Sequence, residues 1–401
     1  MRVVFCFLLA GIFLAGGFAN GDTFVNTQNG QTYHGYAYAT GKEDSGGLSE
    51  VNTVEQGPVK LNLGQFKAIR DRTGRSNTVA ILTIPDEIAL GMETNAFEKA
   101  VKDAASKGPL FILIEIDTPG GRVDLVMRMC SAIVKTGSNC DVYAYVKGGS
   151  NGGAYSGGAA VALACNKIYM SPGTAIGAAT MISRNDEGKP VDIKQVLGQT
   201  VGEKMSSAWR NYLASLAENS GRPAVLAKAM ESKEIEAIEV NENGKRVFIE
   251  AMNKKPDEAV VKTWSKKGSL LTLPAQDAVD CGMADKIYNS RQDLLADQNA
   301  LSAQIISDES MAKARELYQR IEKSIKRIRA SVDLGLKRLD ATQSRGQALK
   351  AMKGLINDAQ FVLGLKKKFG DDVPVDEEEV QSFLNSAQAE YDALRTGGGK
   401  Q

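Results

Sequence analysis

The sequence predicts an α/β protein with a small β unit in front of it and a helical tail behind it. Three observations carry that reading. Strand and helix patterns alternate from residue 76 to about residue 295, as they do when parallel strands are joined by crossover helices. Leu110–Ile116 is an almost unbroken apolar run, the pattern of a strand buried on both faces. Ile321, Ile325, Ile328 and Val332 keep the 4-3-4 spacing of a coiled-coil seam. The length of 401 residues suits two or three domains. With 43% hydrophobic and 24% charged residues, the chain is neither wholly disordered, nor collagen-like, nor a multi-span membrane protein. A formal charge of +1 gives no general attraction for nucleic acid, and none is expected as a partner.

Residues 1–20 read as a signal peptide. Arg2 gives a positive start, Val3 to Ala15 are almost all apolar, and small residues follow at Gly16, Gly17 and Ala19. The apolar run is shorter than the roughly 20 residues that span a bilayer. The expected location is therefore exported, periplasmic or cell-envelope, with membrane association open. Four cysteines follow this segment, Cys130, Cys140, Cys165 and Cys281. No Cys/His spacing suggests a metal site, and no disulfide framework is expected. A Cys130–Cys140 pair stays open, because sequence does not fix the distance between them.

Residues 22–75 carry four or five short strands, with a hairpin signal at Asn29-Gly30 and a turn at Gly57-Pro58. They suggest a small β-barrel of SH3-like type. The only histidine of the chain, His34, falls here. Residues 76–299 form the α/β domain. Strands are expected at Thr78–Ile84, Leu110–Ile116, Val142–Val146 and Lys167–Met170, and helices at Glu93–Ser106, Val123–Val134 and Ala159–Ala164. Residues 300–401 are a helical, coiled-coil tail. From Met311 to Lys368 there are 15 Lys and Arg against 5 Asp and Glu, and from Asp371 to Asp392 there are 8 acidic residues and no basic one. The charge blocks read as two solvated helix faces that attract one another. The seam needs a partner helix from the same chain or another copy, so a homo-oligomer, a dimer or larger, is expected.

Two glycine-rich segments could carry chemistry. Asp117-Thr118-Pro119-Gly120-Gly121 turns a buried strand into a helix, and its backbone N–H groups could stabilise an oxyanion. Gly148 to Gly158 holds six glycines in eleven residues and contains Ser156. Ser156 opens an apolar helix, where the dipole favours developing negative charge. The Gly157 N–H could be a second oxyanion donor. A serine nucleophile needs a base. His34 lies in another domain, which leaves a lysine whose pKa must fall from about 10.4 to about 7–8. Lys147, Lys167, Lys194 and Lys204 all remain candidates on composition alone.

Residues 110–183 resemble the ClpP/crotonase superfamily, and more closely the NfeD-type serine proteases with a Ser–Lys dyad. The resemblance rests on Asp117-Thr118-Pro119-Gly120-Gly121, Ser156-Gly157-Gly158, Ala162-Leu163-Ala164 and Ile168 to Ala179. It continues in Ser215-Leu216-Ala217-Glu218-Asn219-Ser220-Gly221-Arg222, in Leu270–Leu273 and in Ala278–Asp285. It implies a spiral of ββα units, with Ser156 as nucleophile and Gly121 and Gly157 as oxyanion donors. Counting back from Ser215 along the family's helix, it puts the base on Lys204. The implied activity is an endopeptidase acting on unfolded or apolar polypeptide segments, without metal or organic cofactor, with a membrane protein as possible partner. The front β unit, the helical tail and a longer Arg184–Val201 segment depart from the family pattern. Two other classes share such a fold: acyl-CoA hydratases and isomerases, and non-catalytic scaffolds.

Overall fold

The computed structural model describes residues 22–37, 48–53, 56–69, 75–184, 189–334 and 344–396. The expected signal peptide lies outside the described residues. Five strands come first: β1 (Asp22–Asn26), β2 (Thr32–Ala37), β3 (Ser49–Thr53), β4 (Gly57–Leu61) and β5 (Phe66–Ile69). They form one antiparallel sheet in the order β4-β3-β2-β1-β5. Gly30, with φ 73°, makes the β1–β2 turn, as the Asn-Gly signal implies. Phe24, Tyr33, Val51 and Leu61 are its buried core. His34 pairs with Thr23 inside this sheet.

The α/β part follows as β6 (Thr78–Ile84), α1 (Gly91–Ser106), β7 (Phe111–Ile116), α2 (Val123–Gly137) and β8 (Val142–Val146). Then come β9 (Gly153–Tyr155), α3 (Gly157–Leu163), β10 (Lys167–Met170) and β11 (Ala175–Gly177). A hairpin of β12 (Ile182–Arg184) and β13 (Pro190–Asp192) leads into the long α4 (Ile193–Asn219), followed by α5 (Ala224–Glu231). The antiparallel strands β14 (Ala237–Glu242), β15 (Lys245–Glu250) and β16 (Val260–Ser265) form a separate sheet. The unit closes with β17 (Thr272–Pro274), α6 (Ala275–Asp280), β18 (Lys286–Ile287), α7 (Arg291–Asp297) and β19 (Gln304–Ser307).

The central sheet is parallel, in the order β18-β10-β8-β7-β6-β19. All six residues of β7 are buried, which is what its unbroken apolar run required. Alternate residues serve two cores. Ile112, Ile114, Val142, Ala144 and Ile168 pack with Phe97, Val126, Met129 and Leu163 from the helices on one face. On the other face Phe111, Tyr143 and Tyr169 run across three strands to Tyr288, just past β18, with ring centroids 4.7, 5.6 and 5.3 Å apart. A smaller sheet, β17-β11-β9, lies beside the parallel one and carries the glycine-rich loop. The edge strand β19 lies past the boundary expected at residue 299, so the parallel sheet draws on chain assigned to the tail by sequence.

The tail is α8 (Ser310–Leu334), α9 (Arg345–Phe369) and α10 (Glu377–Thr396). Ile321, Ile325 and Ile328 are buried within the chain against Met352, Ile356, Ala359 and Phe383, so most of the seam is satisfied without a second copy. Val332 is 52% exposed and lines a groove of about 740 Å³ between α8 and α10. Among the described residues, no helix is long and apolar enough to cross a membrane. Ile325→Ala should cost about 2–5 kcal/mol, the usual range for truncating a buried aliphatic side chain. Urea unfolding followed by circular dichroism measures it, and an unchanged midpoint would deny the seam its role.

Candidate active site

Ser156 sits between β9 and α3 with φ 51° and ψ −118°, a conformation that non-glycine residues rarely adopt. Such strain costs of order 1–3 kcal/mol and persists only where the surroundings over-determine it. Those surroundings are visible. The Ser156 N–H donates to the Gly177 carbonyl of β11 at 2.9 Å, and the Ser156 carbonyl accepts the N–H of Ala159 at 3.0 Å. On the other side, Thr118 and Ala154 form a parallel bridge, with Thr118 N–H to Gly153 O at 2.9 Å and Tyr155 N–H to Thr118 O at 3.0 Å. Ser156 holds the N-cap position of α3, yet its side chain caps no backbone N–H. Its half-buried hydroxyl has no hydrogen-bond partner among the described residues.

The loop before Ser156 is held by Asp117. One carboxylate oxygen accepts the Asn151 N–H at 3.1 Å and the other the Gly153 N–H at 3.2 Å, while the Asn151 side chain donates to the Asp117 carbonyl at 2.9 Å. A strand-end carboxylate thus folds a glycine-rich loop that would otherwise be floppy.

Gly120 packs closely against Ser156, and Gly121 against the backbone of Ile88. A β-carbon on Gly120 would lie 2.5 Å from Ser156 Cβ, and one on Gly121 would lie 2.1 Å from the Ile88 carbonyl oxygen. Gly121 pairs with Ile88 in a parallel bridge made by Ile88 N–H to Gly120 O at 2.7 Å and Arg122 N–H to Ile88 O at 2.9 Å. In that pattern the Gly121 N–H faces away from Ile88. Its nitrogen is 3.4 Å from the point a β-carbon on Gly157 would occupy. The Gly121 and Gly157 N–H groups therefore stand close together beside Ser156, and neither is taken by a backbone acceptor among the described residues. Ile88 is the functional position that sequence reasoning missed, since nothing in its local pattern announces a contact with Gly121.

Lys204 makes no hydrogen bond to Ser156. Its side chain is exposed and makes no hydrogen bond or ion pair among the described residues. It lies on α4, which is broken at Gly198 (φ 77°, ψ 159°) and folds back so closely that a β-carbon on Gly202 would lie 2.5 Å from Lys194 Cα. The helix is tied to the serine strand. Trp209 Nε1 donates to the Ala179 carbonyl at 2.8 Å, two residues beyond the Gly177 that holds Ser156. The other three lysines are engaged: Lys147 with Glu115 at 3.2 Å, Lys167 with Asp285 at 2.8 Å and Lys194 with Glu203 at 2.7 Å. The Glu203 hydrogen bond raises the Lys194 pKa, away from what a base needs.

Glu231 is buried beneath this helix. Burial pushes its carboxyl pKa up, against the Arg210 guanidinium, whose Nε lies 3.4 Å from Glu231 Oε2 without aligning for a hydrogen bond. The cysteines are buried thiols, and burial pushes Cys130 up to about 12 and Cys281 up to about 11, so neither is a ready nucleophile. No cluster of His, Cys, Asp or Glu suited to a metal occurs among the described residues.

Residues 78–260 match the family described as NfeD1b, N-terminal domain. Over 228 residues the chain is 27% identical to the membrane protein NfeD1b of Bacillus subtilis, covering 57% of this chain and 43% of the relative. Over 140 residues it is 31% identical to the membrane-bound protease PH1510 of Pyrococcus horikoshii, covering 35% of this chain and 29% of the relative. The chain thus spans less than half the length of the curated relatives it matches. Among solved structures, the 1510-N membrane protease specific for a stomatin homolog from Pyrococcus horikoshii aligns at 21% identity and a TM-score of 0.36, covering 58% of this chain and 92% of that one. The NfeD1b-type segment contains Ser156, Gly121, Gly157 and Lys204, and it ends before β18 and β19, the two edge strands of the parallel sheet.

Two outcomes follow from this geometry. Gly121→Ala should lower stability by about 1–3 kcal/mol, because its methyl group meets backbone that has no rotamer to yield. Thermal unfolding tests this, and a wild-type Tm would mean that the strap at Ile88 gives way freely. Glu231→Gln should stabilise the protein more at pH 8 than at pH 5. The raised folded pKa means that the wild-type carboxyl favours the folded state fully below its unfolded pKa and loses that contribution as pH rises through the folded value. Urea midpoints of both proteins across this range measure the difference, and parallel pH curves would rule it out.

Proposed function

We propose that the protein is an exported serine endopeptidase of the ClpP class with a Ser156–Lys204 dyad. The observation that carries the reading is Ser156 itself: a strained, uncapped serine beside two unclaimed backbone N–H groups. Neutral Lys204 Nζ takes the Ser156 hydroxyl proton as Oγ attacks the scissile carbonyl. The N–H groups of Gly121 and Gly157 bind the oxygen as it gains negative charge. The Lys204 ammonium then returns the proton to the departing amine, and water hydrolyses the acyl-serine by the same route.

Lys204 is favoured over Lys147, Lys167 and Lys194 because each of those holds a carboxylate. Lys204 is exposed, where a substrate could cover it. Apo active sites commonly tighten only when substrate arrives. Val201 at 51% and Met205 at 40% exposure flank Lys204, and Ile182 is 63% exposed on the preceding hairpin. These side chains suit an apolar, unfolded polypeptide segment bound as an additional strand. The kinship with a membrane-bound protease supports the same class of reaction. The apolar leader read over residues 1–20 supports action outside the cytoplasm.

Ser156→Ala and Lys204→Ala should each reduce kcat/KM on a denatured, apolar polypeptide to near background while leaving the circular dichroism spectrum unchanged, since residues that act as a unit each remove nearly all the rate. The wild-type rate should climb from neutral into alkaline pH with one dominant ionisation. Near wild-type activity in Lys204→Ala, or a plateau already reached at pH 5, would remove Lys204 from the mechanism.

A further inference from the structure

We propose that the helical tail is a working part of the active site: Arg315 and Asp372 are positioning residues that hold the strap Asp86–Glu93, and through it the Gly121 oxyanion donor. This deepens the peptidase reading and rests on Gly121 acting as that donor.

The strap has two faces. Ile88 packs in the core of the α/β domain, whereas Leu90 and Met92 pack in the core of the tail, with Met92 only 2% exposed. Arg315, on α8, clamps the strap at three points. Its Nη1 donates to the Asp86 carboxylate at 2.7 Å, and its Nη2 donates to the Glu87 carbonyl at 3.1 Å and to Glu93 Oε2 at 3.0 Å. Its Nε donates to the other oxygen of Glu93, a carboxylate that is only 3% exposed. A planar guanidinium can satisfy this fork; an ammonium cannot.

The second hold comes from the short segment between α9 and α10. Asp372 Oδ1 accepts the N–H of Gly91, the first residue of α1, at 3.1 Å. The fit is tight enough that a β-carbon on Gly91 would lie 2.3 Å from that oxygen. Between these two anchors lies Ile88, whose N–H and carbonyl make the two hydrogen bonds that fix Gly120, Gly121 and Arg122. At the same place Thr118 Oγ1 donates to the Asp86 carbonyl at 2.7 Å and accepts the Gly120 N–H at 3.1 Å. The path from tail to oxyanion donor therefore runs from Arg315 through Asp86 to Ile88 and on to Gly120 and Arg122, the hydrogen-bonded neighbours on either side of Gly121. The NfeD1b-type match stops at residue 260, so neither anchor belongs to the matched segment.

The test uses the full chain, with Arg315→Ala, Arg315→Lys and Asp372→Ala compared with wild type. Amide hydrogen exchange is followed at Ile88 and Arg122, with the β7 amides as internal control. Exchange at Ile88 and Arg122 should rise about tenfold in both alanine variants while β7 stays at its wild-type rate, and Arg315→Lys should fall between. In kinetics on the denatured polypeptide, kcat should drop by about tenfold or more with KM within about twofold, because an oxyanion donor acts in the transition state. Unchanged exchange at Ile88 and Arg122 overturns the proposal. So does a rise that includes β7, which would mark general destabilisation, or looser exchange with an unaltered kcat. If wild type and Ser156→Ala prove equally inert, the peptidase reading fails, and exchange alone then decides whether the tail holds Gly121 in place.

Discussion

The site depends on one steric constraint: three backbone segments meet where no side chain fits. Gly120 faces Ser156, Gly121 faces Ile88, and Gly157 faces Val126 Cγ2, each with its missing β-carbon within 2.5 Å of a neighbour. The consequence is electrostatic. Backbone N–H groups that come this close to a serine, and that no carbonyl claims, can act only on something placed between them. The glycines are therefore the means by which polar backbone comes close to the Ser156 side chain. The strain at Ser156 is small beside the burial that enforces it, since α3 and β9 around it are almost wholly buried.

Charge pairs hold the periphery of this arrangement while leaving its centre open. Glu115, 2% exposed on β7, is shared by Lys147 and by Arg291 at 2.6 Å. Arg222, 6% exposed at the end of α4, reaches Asp285 at 2.7 Å and the carbonyl of Met283 at 2.9 Å, tying the helix to the chain entering β18. Removing one partner of such a pair strands the other charge in low dielectric, which costs more than the pair itself contributes. These lysines and arginines are thus committed to the frame. Lys204, by contrast, makes no ion pair among the described residues.

The parallel sheet and the serine loop were legible because their signals are local. An apolar run such as Leu110–Ile116 states its own burial, and six glycines around one serine state that the backbone there is special. The Asn29-Gly30 turn was legible for the same reason. Contacts between distant segments left no such mark. Ile88 reads as one more apolar residue, and Asp86, Glu93 and Asp372 read as surface charge. The 4-3-4 seam announced that Ile321, Ile325 and Ile328 would be buried but not against what; the answer is α9 and α10 of the same chain. The opposite charge of the two tail blocks was visible, yet its most specific use, Arg315 on the strap, crosses from tail to α/β domain rather than from helix to helix.

That crossing changes what counts as the domain. Sequence reasoning drew a boundary at residue 299, where the alternation of strands and helices gives way to the coiled-coil pattern. Physically the boundary falls elsewhere. The strand β19 at residues 304–307 pairs with β6, which leads straight into the Asp86–Glu93 strap, and α8 begins three residues after β19. An edge strand, a helix start and an arginine clamp therefore follow one another on chain that carries no catalytic group. The edge strand pairs with β6, the arginine clamps the strap that follows it, and Ile88 of that strap bridges Gly121. The contacts that fix the strap beside Gly121 are thus made by the tail, from Arg315 and Asp372.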